Sequence, residues 1–162
     1  MVASFTIAED LEALVLIGGV SAFVAAALTV VWLVLMATLP APPRDSTGDQ
    51  ELAFIAAHDR HQIAKFLPTT LVAMAYVPTW LGLGALLWGE APQLAAIAVA
   101  FGVLYPAITA VGYWLQFTVV RGVADLVARG EASAGAVYEV VGFHDRPTSM
   151  GTSVVILGYT VW

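Results

Sequence analysis

The sequence predicts an all-α fold: a polytopic bundle of transmembrane helices with three complete spans and a partial fourth. The first observation is composition, since 60% of the 162 residues are hydrophobic and only 11% are charged, whereas about a quarter are charged in soluble domains. The second is a pair of long uncharged runs, at 66–89 and 91–120. Each exceeds the roughly 20 residues that cross a bilayer as a helix. A single integral membrane domain, residues 1–162, is therefore predicted.

Composition also limits chemistry and partners. The chain has no cysteine, which excludes disulfides, thiolate metal sites and thiol nucleophiles. Its net charge is −6 and it has six basic residues, so nucleic acid is not an expected partner, because phosphate binding needs clustered Lys and Arg. The expected partners are the lipid bilayer and other membrane helices, from a second copy of the chain or from another protein.

The first span is predicted over residues 13–39, after an acidic N-terminal segment. A secretory signal would begin with basic residues and have a shorter apolar region, so a retained helix is favoured, with cleavage near Ala37 as the alternative. Gly18, Ala22 and Ala26 follow one another at four-residue spacing, which lets helix backbones pack closely. The alternative is that this spacing only reflects how common alanine and glycine are in the chain.

Three prolines follow the first span and are predicted to end its helix, because proline lacks the N–H that helical hydrogen bonding requires: Pro40, Pro42 and Pro43. After a polar loop, residues 51–65 are predicted to form a helix that leads directly into the second span. The apolar side of that helix is expected to carry Leu52, Ile55, Ala56 and Ile63.

The second and third spans are predicted over residues 66–88 and 93–120 as an antiparallel pair, because the Gly-Glu-Ala-Pro connector is too short for another arrangement. Trp88 is expected at the membrane–water interface, where indoles concentrate. Bends are predicted near Pro78 and Pro106, since each proline removes one helical hydrogen bond.

Beyond residue 120, a helix is predicted to leave the membrane and to stop at Gly130. Its charged side is expected to carry Arg121, Asp125 and Arg129. Its apolar side is expected to carry Val123, Leu126 and Val127. Residues 136–141 are predicted to form an interfacial amphipathic helix. The final segment, 148–162, is uncharged but shorter than a full span. It indicates either a chain truncated within a fourth span or a terminal half-helix.

Orientation follows from the basic residues. All six fall in the segments 44–65 and 121–146, and none lies in the N-terminal segment or in the 89–92 turn. Loops rich in Lys and Arg stay in the cytoplasm. Both segments are therefore predicted to be cytoplasmic, with the N-terminus outside, in a multi-pass protein of the cell membrane.

His58 and His61 lie three residues apart, so on one helix both imidazoles would project to one side. A zinc site takes three or four protein ligands, and only His144 and nearby carboxylates remain to complete the set. The favoured interpretation is therefore that both histidines are solvated residues beside the membrane. A further alternative is pH sensing by His58, Asp59 and His61. No catalytic, cofactor-binding or metal-binding residue is assigned, and no cofactor is predicted.

The predicted spans contain no Asp, Glu, Lys, Arg or His residue, the residue types that mark ion pathways and proton relays. The polar groups considered as solute ligands are Thr29, Thr69, Thr70, Thr79, Thr109, Tyr76, Tyr105, Tyr113 and Gln116. Such groups more often bond between helices or to their own backbone than bind a solute. No phosphate-binding, dinucleotide-binding, hydrolase or metalloprotease motif is present.

The first span ends in Leu-Pro-Ala-Pro-Pro at residues 39–43, and Glu-Leu-Ala-Phe at 51–54 leads through Arg60 into the second span. In this layout and in composition, most of the chain resembles uncharacterised multi-pass bacterial membrane families of the DUF4386 type. The resemblance implies a polytopic bacterial membrane protein with further spans. It assigns no functional residue.

Two functions are predicted. The first is a non-enzymatic structural or interaction component of a bacterial membrane, and the alternative is a permease or channel subunit for a small solute. An enzyme using His58 and His61 comes third. A polar cavity around Tyr105 and Gln116 would favour the permease, whereas dry, tightly packed spans would favour the structural component.

Overall fold

A computed structural model of the chain describes residues 7–43 and 46–131. The described residues form five helices: α1 (Ile7–Thr38), α2 (Gly48–Ala57), α3 (Asp59–Leu87), α4 (Pro92–Phe117) and α5 (Val119–Ala128). These two stretches contain no strand, so the all-α prediction is confirmed. The predicted amphipathic segment 136–141, His144 and the partial span 148–162 lie outside the described residues.

The three predicted complete spans correspond to helical stretches long and apolar enough to cross a membrane: Glu9–Thr38, Asp59–Leu87 and Pro92–Ala128. Helix α1 begins at Ile7, before the predicted span 13–39, and α3 begins at Asp59, before the predicted span 66–88. Helix α4 ends at Phe117, within the predicted span 93–120. The early start of α1 includes Glu9 and Asp10 in its first turn, where carboxylates favour a helix N-terminus.

Helix α3 is the centre of the bundle, since α1 and α4 each pack along it. On one side Gly18 of α1 meets Gly82 of α3, and a Cβ built on either residue would lie 2.7 Å from the other residue's Cα. On the other side Gly102 of α4 lies against the indole of Trp80. The absence of side chains at these glycines lets both neighbouring helices approach α3 closely.

The predicted small-residue stripe of α1 consists of Gly18, Ala22 and Ala26, of which Gly18 packs against α3. Gly18 is buried, but the two alanines are exposed. The other buried small residue is Ala25, which is 1% exposed and follows Gly18 by seven residues. A step of four residues rotates about 40° around a helix, whereas a step of seven returns to within about 20°. The seven-residue spacing therefore stays on one face, as in helices that cross at about 20°.

Helix α3 continues through Pro68 and Pro78, and α4 continues through Pro106, so none of these residues ends a helix. Membrane helices tolerate proline where neighbouring groups satisfy the carbonyl that loses its N–H partner. The bends predicted near Pro78 and Pro106 remain predictions. Pro92 stands in the first turn of α4, where its missing N–H has no helical partner to lose.

Helices α2 and α5 pack against each other at one end of the bundle. Their shared core consists of Leu52, Ile55, Val120, Val123 and Ala124. Val120, the last residue of the predicted third span, belongs to α5 and to this core, within the helical stretch Pro92–Ala128. The predicted sides of α5 are confirmed, because Val123 is buried while Asp125 and Arg129 are exposed.

The prediction of one continuous helix over residues 51–65 is wrong. His58 has φ −127° and ψ 39°, values outside the helical range, and it separates α2 from α3. The break directs α2 towards α5, so that Leu52 and Ile55 are buried against it. Contacts with a distant part of the chain thus decide where this helix ends.

Two polar contacts hold described basic residues to other segments of the chain. Lys65 Nζ donates to the carbonyl of Pro40 at 2.6 Å, and Arg121 Nη2 donates to the carboxylate of Asp59 at 2.7 Å. The loop after α1 and helix α5 therefore lie at the same end of the bundle, opposite the α3–α4 turn. Helix α5 is followed by Gly130 with φ 82°, which confirms the predicted glycine stop.

Candidate functional site

A cavity of about 160 Å³ lies between the three long helices. It is lined by Thr29 and Trp32 of α1, by Thr69, Val72, Ala73 and Tyr76 of α3, and by Tyr105, Thr109 and Tyr113 of α4. Within the described residues, α1 and α4 both pack on α3 but have no extensive contact with each other. Helix α3 is therefore the floor of the cavity and the other two helices are its walls. One water occupies roughly 30 Å³ in the liquid, so a solute of several non-hydrogen atoms fits.

A second cavity, of about 190 Å³, adjoins the first on the side of the α3–α4 turn. Its lining consists of Tyr76, Thr79, Trp80, Leu83 and Tyr105. Tyr76 and Tyr105 line both cavities and so stand between them. From Thr69 to Leu83 the combined lining follows about 21 Å of α3 at the helical rise of about 1.5 Å per residue. This length is about two thirds of the hydrocarbon thickness of roughly 30 Å.

The threonine hydroxyls in these cavities fall into two kinds. Three donate to the carbonyl four residues earlier, at 2.8, 3.1 and 2.8 Å respectively: Thr29, Thr69 and Thr79. The fourth, Thr109, is 3% exposed, and its Oγ1 has no hydrogen-bond partner. A buried hydroxyl without a partner is costly in free energy. Thr109 Oγ1 is therefore a buried polar atom beside the first cavity, without a partner among the described residues.

No Asp, Glu, Lys, Arg or His side chain lines either of these two cavities. Lys65, Asp59 and Arg121 are instead joined in the contacts at the α2–α5 end. A charged solute in the cavities would lose its hydration without gaining a counter-charge. The arrangement is suited to a neutral molecule held by hydrogen bonds from several helices and by contact with aromatic rings.

Seven of the nine polar residues considered from the sequence line the two cavities: Thr29, Thr69, Tyr76, Thr79, Tyr105, Thr109 and Tyr113. The other two do not. Thr70 is 3% exposed and donates to the carbonyl of Phe66 at 3.0 Å. Gln116 is 2% exposed, and its backbone carbonyl accepts from Gln62 Nε2 at 3.4 Å. A polar cavity is therefore present around Tyr105, but Gln116 is not part of its lining.

Five lining residues were missed from the sequence: Trp32, Val72, Ala73, Trp80 and Leu83. The spacing of the polar residues in the sequence could have indicated these positions. Tyr105, Thr109 and Tyr113 recur every four residues, and Thr69 and Tyr76 are seven apart, so each set faces one side of its helix. Residues on those same faces would have been candidates for the lining.

His58 and His61 do not form the pair on one helix that the sequence predicted, because His58 lies in the break between α2 and α3. Their rings stack with centroids 5.5 Å apart. His58 Nδ1 lies 2.9 Å from the carbonyl of Phe54, so Nδ1 carries a proton and donates it there. Among the described residues, no group of three or more His, Cys, Asp or Glu side chains could hold a metal ion.

Comparison of the chain with protein-family models, with curated proteins and with solved structures finds no match. The resemblance to families of the DUF4386 type therefore remains a prediction from layout and composition.

Proposed function

We propose that this chain is a non-enzymatic permease or channel subunit, and that small uncharged solutes pass through the two cavities between α1, α3 and α4. The observation that supports this proposal is the hydroxyl lining of the first cavity. Three helices, each long enough to span a membrane, contribute to that lining. Hydroxyls that serve only helix association would lie against a neighbouring helix. Here they surround a space large enough for a small solute.

The path would run along α3, with Tyr76 and Tyr105 as its constriction. A solute entering from either end would exchange its water contacts for hydroxyl contacts, first in one cavity and then in the other. Such exchange lowers the free-energy cost of crossing a layer that otherwise offers no hydrogen bonds. The aromatic rings around the path provide apolar contact for the carbon atoms of the solute.

We further propose that the chain lies in the cell membrane with its N-terminus and the α3–α4 turn outside. The segments 44–65 and 121–146 would then face the cytoplasm. The distribution of all six basic residues supports this orientation. The ion pair between Asp59 and Arg121 supports a common side for the two segments.

The structural or interaction component remains the second candidate. The close contact of Gly18 with Gly82 favours it, because such glycine contacts are typical of spans whose role is tight association. The cavities count against it, since a purely structural bundle would be expected to fill the space between its helices.

Solute flux separates the two candidates. The purified chain is reconstituted into liposomes, and shrinkage and reswelling are followed by light scattering after mixing with urea or glycerol. Reswelling faster than in protein-free liposomes is expected. Ala73 is 4% exposed and lines the first cavity, so Ala73→Leu should narrow the path and slow reswelling. Met74, which is 58% exposed, supplies the control Met74→Leu, which should leave the rate unchanged.

A folded protein that reswells no faster than protein-free liposomes would contradict the permease proposal and favour the structural component. Helical content by circular dichroism and a cooperative thermal transition establish that the protein is folded. An equal loss of flux in both variants would show that the path does not follow this face of α3.

A further inference from the structure

We propose that the site selects solutes that carry hydrogen-bond donors, such as urea, simple amides and small polyols, over molecules of the same shape that only accept. The inference rests on the proposed function and names the class of solute for the same cavities. It follows from the direction of the threonine hydrogen bonds.

A threonine hydroxyl has one proton to donate and two lone pairs to accept with. The protons of Thr29, Thr69 and Thr79 are directed to carbonyls of their own helices, at distances of 3.1 Å or less. Their oxygens keep lone pairs and can only accept from a solute. Three of the four threonines along the path are therefore acceptors.

Thr109 differs from these three, because its hydroxyl is fully buried and has no partner among the described residues, so it is closed to a solute. The tyrosine hydroxyls can act in either role. A solute with several N–H or O–H groups matches this set, because it can donate to the oxygens of Thr29 and Thr69. A solute that only accepts offers nothing to these two oxygens.

Unpaired buried groups make hydrogen-bonding sites selective against isosteres that lack the matching group. Urea, acetamide and acetone provide the comparison, because replacing –NH₂ by –CH₃ changes the donor number at nearly constant shape and all three are neutral. Urea has two donor groups, acetamide has one and acetone has none. Acetone crosses the bilayer without any protein, so its own flux would not report on the site. Competition with labelled urea measures the selectivity of the protein instead.

The experiment measures uptake of radiolabelled urea into liposomes that contain the full chain, with unlabelled acetamide or acetone present at equal concentration. Protein-dependent uptake is expected to fall with acetamide and to stay unchanged with acetone. Equal inhibition by both would overturn the donor inference and leave the proposed function in place. No protein-dependent urea uptake by folded protein would overturn the proposed function, and the inference with it.

Two neighbouring threonines supply matched variants. Thr69 and Thr70 both donate to the carbonyl four residues earlier and are 8% and 3% exposed, but only Thr69 lines the cavity. Thr69→Val should lower urea uptake by roughly two- to tenfold, the effect of one hydrogen bond. Thr70→Val should leave uptake unchanged. Equal effects of the two substitutions would overturn the assignment of Thr69 as a solute acceptor.

Discussion

Gly18 and Gly82 meet backbone to backbone where α1 crosses α3, and each faces a carbonyl of the other helix. A Cβ built on Gly18 would lie 2.9 Å from the carbonyl oxygen of Pro78, and one built on Gly82 would lie 2.7 Å from that of Leu14. The Cα hydrogens of the two glycines therefore point at these oxygens. Such contacts recur between helices and contribute roughly 0.5–1 kcal/mol each. They hold α1 close to α3, and so position Thr29 in the wall of the first cavity.

Gly18→Ala is expected to destabilise the protein by about 1–3 kcal/mol, the usual range for overpacking. The added methyl group would meet backbone atoms of α3, which cannot rotate away as a side chain can. The measurement is unfolding in mixed micelles as the fraction of sodium dodecyl sulfate is raised. Gly19→Ala is the control, because a Cβ at Gly19 has no atom within 4 Å among the described residues. Equal destabilisation by both substitutions would mean that the helices do not cross at Gly18.

Lys65→Met is expected to destabilise the end of the bundle where α1 stops by roughly 1.5–3 kcal/mol, the range for hydrogen bonds to charged groups. Lys65 is 7% exposed and donates to the carbonyl of Pro40 just beyond α1. The last turn of α1 has no basic residue of its own, so Lys65 supplies the positive charge that favours a helix C-terminus. Thermal unfolding in detergent gives the comparison with Arg60→Met, at an exposed position, which should change stability little. The prediction is wrong if Arg60→Met costs as much.

Thr109→Val is expected to stabilise the protein and to leave urea uptake unchanged. Valine has nearly the same shape and removes a buried hydroxyl that has no partner, a group whose desolvation costs about 1–3 kcal/mol. The same hydroxyl is closed to a solute, so its removal should not change uptake. Thermal unfolding and reconstituted uptake are measured on the same preparation. A loss of stability would show instead that the hydroxyl is paired within the protein.

Orientation can be tested with single introduced cysteines, because the chain has no cysteine of its own. Glu90 in the α3–α4 turn and Arg129 after α5 are both exposed. In intact cells, a membrane-impermeant thiol reagent is expected to label Glu90→Cys, and to label Arg129→Cys only after permeabilisation. The reverse pattern would contradict the proposed orientation, and labelling of both from outside would contradict the number of crossings between them.

The three long helices could be predicted from the sequence because an uncharged run as long as 66–89 has few alternatives to a membrane helix. The break at His58 could not, since neither glycine nor proline marks it. It depends on the packing of Leu52 and Ile55 against α5, which follows only after two complete spans. Such a contact between distant segments cannot be predicted from the local sequence around His58.

The sequence could predict which polar residues to consider for the lining, but not that these residues surround a cavity. The sequence identifies Thr69 and Thr70 as equivalent neighbours, yet only Thr69 faces the cavity. Which of two adjacent residues faces a given helix depends on the rotation of α3 about its axis. That rotation is determined by the glycine contacts on its two sides, Gly82 with α1 and Trp80 with Gly102.

The central claim is that a polar path lies between α1, α3 and α4, and thiol accessibility tests it most directly. Single cysteines are placed at Ala73, which lines the first cavity, and at Met74, which is exposed on the outer surface of α3. Thiol reagents react with the thiolate, which forms only where water reaches. In reconstituted membranes, a small water-soluble reagent is expected to modify Ala73→Cys and to leave Met74→Cys unmodified. No reaction at Ala73→Cys, in a protein whose exposed Glu90→Cys reacts fully, would contradict the account.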